Sequence, residues 1–554
     1  MVTTALFKQR GLMKKIIVFS SVVLFIYFFI LFGIHQRINI YDEGLMAYSA
    51  TRVARGDVPY ADFWAYYGPA QYYVVALIFK CFGASLTALR TCNQLTGCLL
   101  LAMMYLVVRK LSNDMMALGA LLASTIVLVA SYTLTVIFIS HLSALFFSLL
   151  GCFFLLNFLS ERRTIWIILS GLSVAVTTLF RHEMGLYTFL SHLIVILAFF
   201  FFDPSECGRP ISQRVFRSFK TLLYYFLSIA ALLLPAGIYF FYHAGPRELV
   251  YDLIIFPTKV YPRMRSLPYL SPLLFLLPIL CNDFSFGRCL HMLFLEVPYY
   301  FPIFISAMVF LLLFNQFRLR IYNRMHIIKW RGLLFALLGL FFFTYASIRS
   351  DYTHLLPILF ISVIQFFFLA YEYRRNRAIA SVFLIAYLLF CYAIVSTRGW
   401  GTLKDTLLRY RQTAFFDVPR ARGIPIDRSE IDYRNAIRYI HTNTLDKEKI
   451  FVGNIRHDRI VTNDVMFYFL SERDSATKYY DLHPGVATEA AIQEKIIRDI
   501  EEQGVRYVVV CGWDFSEPNE SSKSSGVFLL DDFIKDRFAP VRSFGNYSIL
   551  KRNP

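Results

Sequence analysis

The chain of 554 residues is 57% hydrophobic and only 17% charged, with 56 Phe, 35 Tyr and a mean hydropathy of +0.52. A soluble domain cannot hide that much apolar surface, so the composition excludes one and predicts a polytopic α-helical membrane protein. The net charge of +18 does not point to nucleic acid: from Arg398 onward about 24 cations meet about 23 acids, so the excess lies between apolar segments, where topology and anionic head groups account for it.

In chain order, spans are predicted near 16–34, 89–108, 115–130, 136–159, 165–180, 186–202, 221–241, 300–314, 332–348, 355–371 and 378–396. That makes about eleven, each close to the ~20 residues a crossing needs. The first lacks a small-residue cleavage site and is read as retained. Alternate connections are basic, among them Lys8/Arg10/Lys14/Lys15, Arg109/Lys110, Arg162/Arg163 and Arg374/Arg375/Arg377. The positive-inside rule then places the N-terminus in the cytoplasm and the C-terminus outside. Trp166 and Trp330 fall at the inner interface, Trp64 and Trp400 at the outer.

Two long loops, 37–90 and 243–298, and the tail therefore face outward, dividing the chain into a membrane domain, 1–397, and an extracytoplasmic domain, 398–554. Within the second loop, the apolar stretch 269–281 is short and broken by Pro272 and Pro278, which suits a partly embedded segment. The tail reads as a small α/β domain, with helices at "RSEIDYRNAIRYIHTNT", "EAAIQEKIIRDIEEQGV" and "FLLDDFIKDRF" and strands at "KIFVGN", "RYVVVCGW" and "YSILKR". Cys281 and Cys289 are close enough in sequence for a disulfide, and no zinc-type spacing is present. Asn519 and Asn546 stand in glycosylation sequons.

The opening loop concentrates the chemistry. Asp42 and Glu43 follow the first span directly, and "EGLMAYSATRVARG" reads as a helix ended by Gly56 that lies along the membrane on Met46, Ala50 and Val53. A turn at Gly68-Pro69 leads into a second interfacial helix rich in Tyr. A carboxylate held there would be partly dehydrated and oriented, which suits a general base.

The stretch "DEGLMAYSATRVARGDVPYADFW", followed by "YGPAQYYVVALIFKCFGASLTALR", resembles the first outer loop of the GT-C superfamily of membrane glycosyltransferases. It is most similar to the protein O-mannosyltransferases and the aminoarabinose–lipid A transferases. The matching positions are Asp42-Glu43, the Ala-rich helix 47–55, Pro59-Tyr60, 69–73 and 88–90; a cation often found before the tyrosines is replaced by Gly68. The resemblance implies a GT-C fold and transfer of a sugar from a polyprenyl-phosphate donor to a hydroxyl on a glycan, lipid or protein acceptor, usually with inversion. It implies Asp42 as the catalytic base with Glu43 as its helper; spacing alone does not choose between them. Some relatives use a divalent metal, which the acids here permit without demanding it.

A phosphate leaving group needs cations and no general acid. Lys259, Arg263 and Arg265, in "FPTKVYPRMRSLPY", and Arg90 are candidate phosphate ligands, although the first three also suit snorkelling to lipid phosphates. "LFRHEMG" supplies Arg181, His182 and Glu183, and "SIRSDYTHLLP" supplies Arg349, Asp351 and His354, either as substrate contacts or as structural ion pairs. Arg52, Tyr60, Asp62 and Tyr67 complete the candidate substrate contacts, while His141 and His192 read as helix-packing polars. The rival readings are a lipid-linked glycan flippase or transporter, and a GT-C oligosaccharide ligase or polymerase. A transporter needs charge deep in its spans, and here charge gathers at the outer mouths. The expected setting is the outer face of a bacterial cytoplasmic membrane.

Overall fold

A computed structural model describes residues 28–29, 31–131, 139–270, 285–318, 326–412, 414–513 and 515–554. Most of the predicted first span and most of the apolar stretch 269–281, with Cys281, lie outside the described residues. Beyond the first, each predicted span coincides with a helix. Among the described residues eight helices are long and apolar enough to cross a membrane; Asp114–Ala130 and Thr164–Phe180 are shorter, at 17 residues each.

Helix Tyr352–Tyr373 is the axis of the bundle, buried over almost its whole length. Its one strongly polar interior side chain is satisfied: Gln365 donates to the Phe335 carbonyl (2.8 Å) and accepts from Ser306 (2.9 Å). That pairing matters because an unmet amide in hydrocarbon is costly. Helices Ile211–Ala244 and Arg377–Tyr410 lie at the rim and expose apolar side chains along most of their length, as lipid-facing helices do.

Two stretches differ from the sequence reading. The described part of the loop 243–298 is largely helical: a continuous run over 246–265 has a π-helical middle, Tyr251–Val260, and helix Phe286–Arg318 begins well before the predicted span at 300. The helical run Arg377–Tyr410 likewise continues through the boundary expected at 397. Pro257 sits inside the π-helical turn, which accommodates a residue that cannot donate a backbone bond.

The first helix, Asp42–Arg55, ends at Gly56 (φ 112°), whose N–H caps the Arg52 and Val53 carbonyls. Its burial is not confined to the face of Met46, Ala50 and Val53. It is buried almost all round, wedged between helix Ala70–Phe82 and the tail helix Met466–Ser471. Gly44 makes this possible: a Cβ there would stand 2.3 Å from the backbone nitrogen of Met466. Helix Ala70–Phe82 does keep an interfacial character, burying Tyr72, Val75 and Phe79 while exposing Val74, Leu77 and Phe82.

The tail folds around a five-stranded sheet of order β2-β1-β3-β5-β4, where β1 is Lys449–Asn454, β2 Asp474–Ser475, β3 Tyr507–Cys511, β4 Phe538–Phe544 and β5 Tyr547–Arg552. The first three neighbours pair in parallel and the β5–β4 hairpin adds antiparallel. The expected helices appear as Ile431–Asn443, Ala490–Glu502 and Leu529–Arg537. Strand β4 is an edge strand, mostly exposed and interrupted by a bulge at Pro540, so it lacks the alternation that reveals a half-buried strand.

Candidate active site between the bundle and the tail

A cavity of about 900 Å³ opens where the first helix, the helical run, the bundle and the tail meet. Its charged lining is Asp42, Arg265, Arg349, Asp351, Arg398 and Glu517, with His354 and His483 beside them. These groups arrive from distant parts of the chain. Asp42 opens the first helix, its N–H capped by Asn39 Oδ1 at 2.8 Å. Arg265 ends the helical run, where Leu267 forms an isolated bridge with Arg349. Asp351 caps helix Tyr352–Tyr373 by accepting from His354 N (3.0 Å), and it also accepts from the His354 ring (2.7 Å).

The acids divide by environment. Burial pushes the Asp42 carboxyl up from 3.8 to about 6; Arg265 and Arg349 pull it down, and Asp351 and Glu517 oppose them. Burial also works upward on Asp351, but there His354 and Arg349 win, and the group is held well below the usual carboxylate range. Glu517 is likewise held down against its burial, by Arg349 and then Arg265. Burial, with Arg265 nearby, drives His483 to about 3, so its ring is neutral. Asp42 is thus the cavity carboxylate whose proton exchanges near neutrality, while Asp351 and Glu517 act as fixed charges.

Glu43 points the other way. Its carboxylate takes a two-point bond from Arg90 (2.6 and 2.8 Å), and both side chains are fully buried. Arg90 further donates to the Ile34, Gln36 and Arg37 carbonyls. The pair ties the start of the first helix to the start of helix Leu86–Leu111, and neither residue lines the cavity. Lys259 and Arg263 are exposed on the helical run and also stay out of the cavity.

The remaining candidates brace it from behind. Arg52 pairs with Asp57 (2.6 Å) and holds the Asp62 carbonyl, while the Asp62 carboxylate receives Val58 N–H (2.7 Å). Tyr60, at φ 71°, donates to the Tyr67 carbonyl (2.7 Å). These contacts fix the turn that presents the rings of Tyr66 and Tyr67 to the cavity. Arg181 stacks under the Tyr67 ring at 4.6 Å, pairs with Glu183 (2.7 Å) and donates to the Tyr345 hydroxyl; His182 lies 3.7 Å from Glu183. Of this trio none lines the cavity.

Sequence reasoning passed over Arg398, Glu517 and His483 in this lining, and Gln71 beside it. Arg398 rests on the Tyr352 ring at 4.3 Å with no ion pair among the described residues; as another outer cation unexplained by topology, it carried the same signal as Arg265. Glu517 sits in a linker-like run without pattern. Gln71, fully buried, finds no partner for either amide atom among the described residues, and it shares a cavity of about 10 Å³ with Asp42. That volume matches a single water. Among the described residues no group of three or more His, Cys, Asp or Glu gathers to hold a metal ion; Asp351 is engaged by Arg349 and His354 and Glu517 by Arg349 and Arg265, whereas the Asp42 carboxylate has no ion pair among the described residues.

A membrane bundle carrying an acidic first loop, roofed by a small sheet domain over a shared cavity, is an ArnT-like fold, the fold class that the first-loop resemblance implies. Residues 67–239 match the family described as dolichyl-phosphate-mannose-protein mannosyltransferase; the match begins after Asp42 and Glu43. Among solved structures, ArnT from Cupriavidus metallidurans bound to undecaprenyl phosphate superposes with a TM-score of 0.52 at 14% identity, over 97% of this chain and 98% of that one. Its apo state gives 0.51 at 13%, over 98% of each. The Archaeoglobus fulgidus oligosaccharyltransferase in complex with zinc and sulfate gives 0.48 at 12%, over 88% of this chain and 67% of that one. At such identities the likeness is one of fold. Comparison with curated proteins yields no match.

Proposed function

We propose that this chain transfers a sugar from a polyprenyl-phosphate donor to a hydroxyl acceptor at the outer face of a bacterial cytoplasmic membrane, with inversion. The observation that carries the reading is Asp42, a carboxyl raised to about 6, in one cavity with three guanidinium groups. In a single in-line displacement the acceptor oxygen bonds to the anomeric carbon as its proton passes to the Asp42 carboxylate. The bond from that carbon to the phosphate oxygen breaks, and the lipid phosphate leaves as an anion. Arg265 and Arg398 receive the departing charge, and the phosphate needs no proton. The solved ArnT bound to undecaprenyl phosphate supports a lipid-linked donor by analogy of fold.

Within this reading the phosphate ligands narrow to the three cavity arginines, Arg265, Arg349 and Arg398. Glu43 and Arg90 form the frame that aims Asp42. A ligase or polymerase is the second enzyme reading, because the same cavity serves any hydroxyl acceptor. The test uses purified protein with a panel of lipid-linked sugars, scoring release of polyprenyl phosphate. Asp42→Asn is expected to fold and to lower turnover by about 100-fold or more; turnover equal to that of the unmodified protein withdraws Asp42 as the base.

A further inference from the structure

Among the described cavity residues, Glu517 is the carboxylate contributed by the tail. Its two oxygens accept from both terminal nitrogens of Arg349, at 2.7 and 3.0 Å. Oε2 also stands 3.2 Å from Arg265 Nη1 and accepts from Asn519 Nδ2 at 2.8 Å. One anion thus bridges two guanidinium groups at the rim of the reaction cavity. A two-oxygen fork across guanidinium donors is also how a phosphate binds them.

We propose that Glu517 is a placeholder for the donor's phosphate, occupying the Arg265–Arg349 anion site in the resting protein and yielding it when the lipid phosphate enters. The proposal rests on the donor reading above and deepens it. The exchange replaces one negative charge by another across the two arginines, while Asp351 keeps its own bond to Arg349 Nε at 2.7 Å. Retaining both anions would instead set Asp42, Asp351, Glu517 and the phosphate around one cavity, and mutual repulsion favours expelling the carboxylate on the most movable backbone. Glu517 meets that condition: residues 515–518 belong to neither helix nor strand, whereas Asp42 and Asp351 are anchored at helix N-termini. Donor binding thereby reaches the tail through the segment that follows β3.

The experiment measures binding of undecaprenyl phosphate, without sugar or acceptor, to the full chain in detergent at fixed salt. If Glu517 fills the site in about nine molecules of ten, removing its charge tightens apparent affinity about tenfold. Glu517→Gln and Glu517→Asp, which keeps the charge but shortens the reach, are both expected to bind more tightly than the unmodified chain. If Glu517→Gln does not fold, Glu517→Asp decides. Unchanged or weaker binding overturns the proposal and makes Glu517 a brace between tail and bundle. Arg265→Gln separates the two failures: affinity equal to that of the unmodified chain removes the phosphate site itself, whatever Glu517 does.

Discussion

The acid limb of the pH–rate profile is the most direct reading of the site. Moving the Asp42 carboxyl from 3.8 to about 6 means that its ionised form costs about 3 kcal/mol more in the folded protein than in water. That cost opposes folding above pH 6 and is relieved as pH falls and the group protonates. The base works only when deprotonated, so activity has the opposite sense and is lost on acidification. At pH 7 about nine-tenths of the molecules carry the carboxylate and at pH 5 about one-tenth, so kcat/KM should fall about tenfold between them, with a midpoint near 6. Two substitutions move that midpoint in opposite directions. Arg265→Gln removes the largest charge favouring the carboxylate and raises the midpoint; Asp351→Asn removes the nearest opposing charge and lowers it. The assay is release of polyprenyl phosphate at subsaturating donor from pH 4.5 to 8.5, with circular dichroism as the folding control. A flat profile, or one midpoint for all three proteins, refutes the assignment of Asp42.

Breaking the Glu43–Arg90 pair by Glu43→Ala leaves a buried guanidinium unmatched and should cost about 3–5 kcal/mol of stability, seen as a lower thermal midpoint in detergent. Lys259→Ala and Arg263→Ala, outside the cavity, should leave donor KM within about twofold, while Arg398→Ala should raise it about tenfold or more; donor titrations compare them. Gly44→Ala drives a methyl into the Met466 backbone and should destabilise the chain by about 1–3 kcal/mol, read from the same melts. Gln71→Leu, which replaces a buried amide at the small cavity beside Asp42 with an apolar side chain, should raise the pH midpoint, as a less polar surrounding disfavours the charged form.

What the sequence disclosed follows from which interactions are local. Helix positions came through because length and hydropathy are written residue by residue, β1 and β3 because their burial is nearly continuous and apolar, and β5 because its burial alternates at Tyr547 and Ile549. β4 escaped because an edge strand buries little. The first helix looked amphipathic since nothing local announces that Met466, more than 400 residues on, covers its other side. The roles of Asp42 and Glu43 are separable only in three dimensions: adjacent helix residues point about 100° apart, and one meets the cavity while the other meets Arg90. Arg265 and Lys259 share one basic stretch, yet only the residue at the end of the helical run reaches inside. Glu517 had no pattern to betray it, because its partners sit on the far side of the chain.

The dovetail at Gly44 makes the tail something other than an appendage. Helix Met466–Ser471 rests on the very turn that carries Asp42, and Met466 N–H binds the Ile40 carbonyl two residues ahead of it. A hybrid that grafts a foreign tail onto this bundle must therefore import the matching opening loop as well. The heritable module is the interlocked pair, and neither half can alter its contact surface unless the other changes in step.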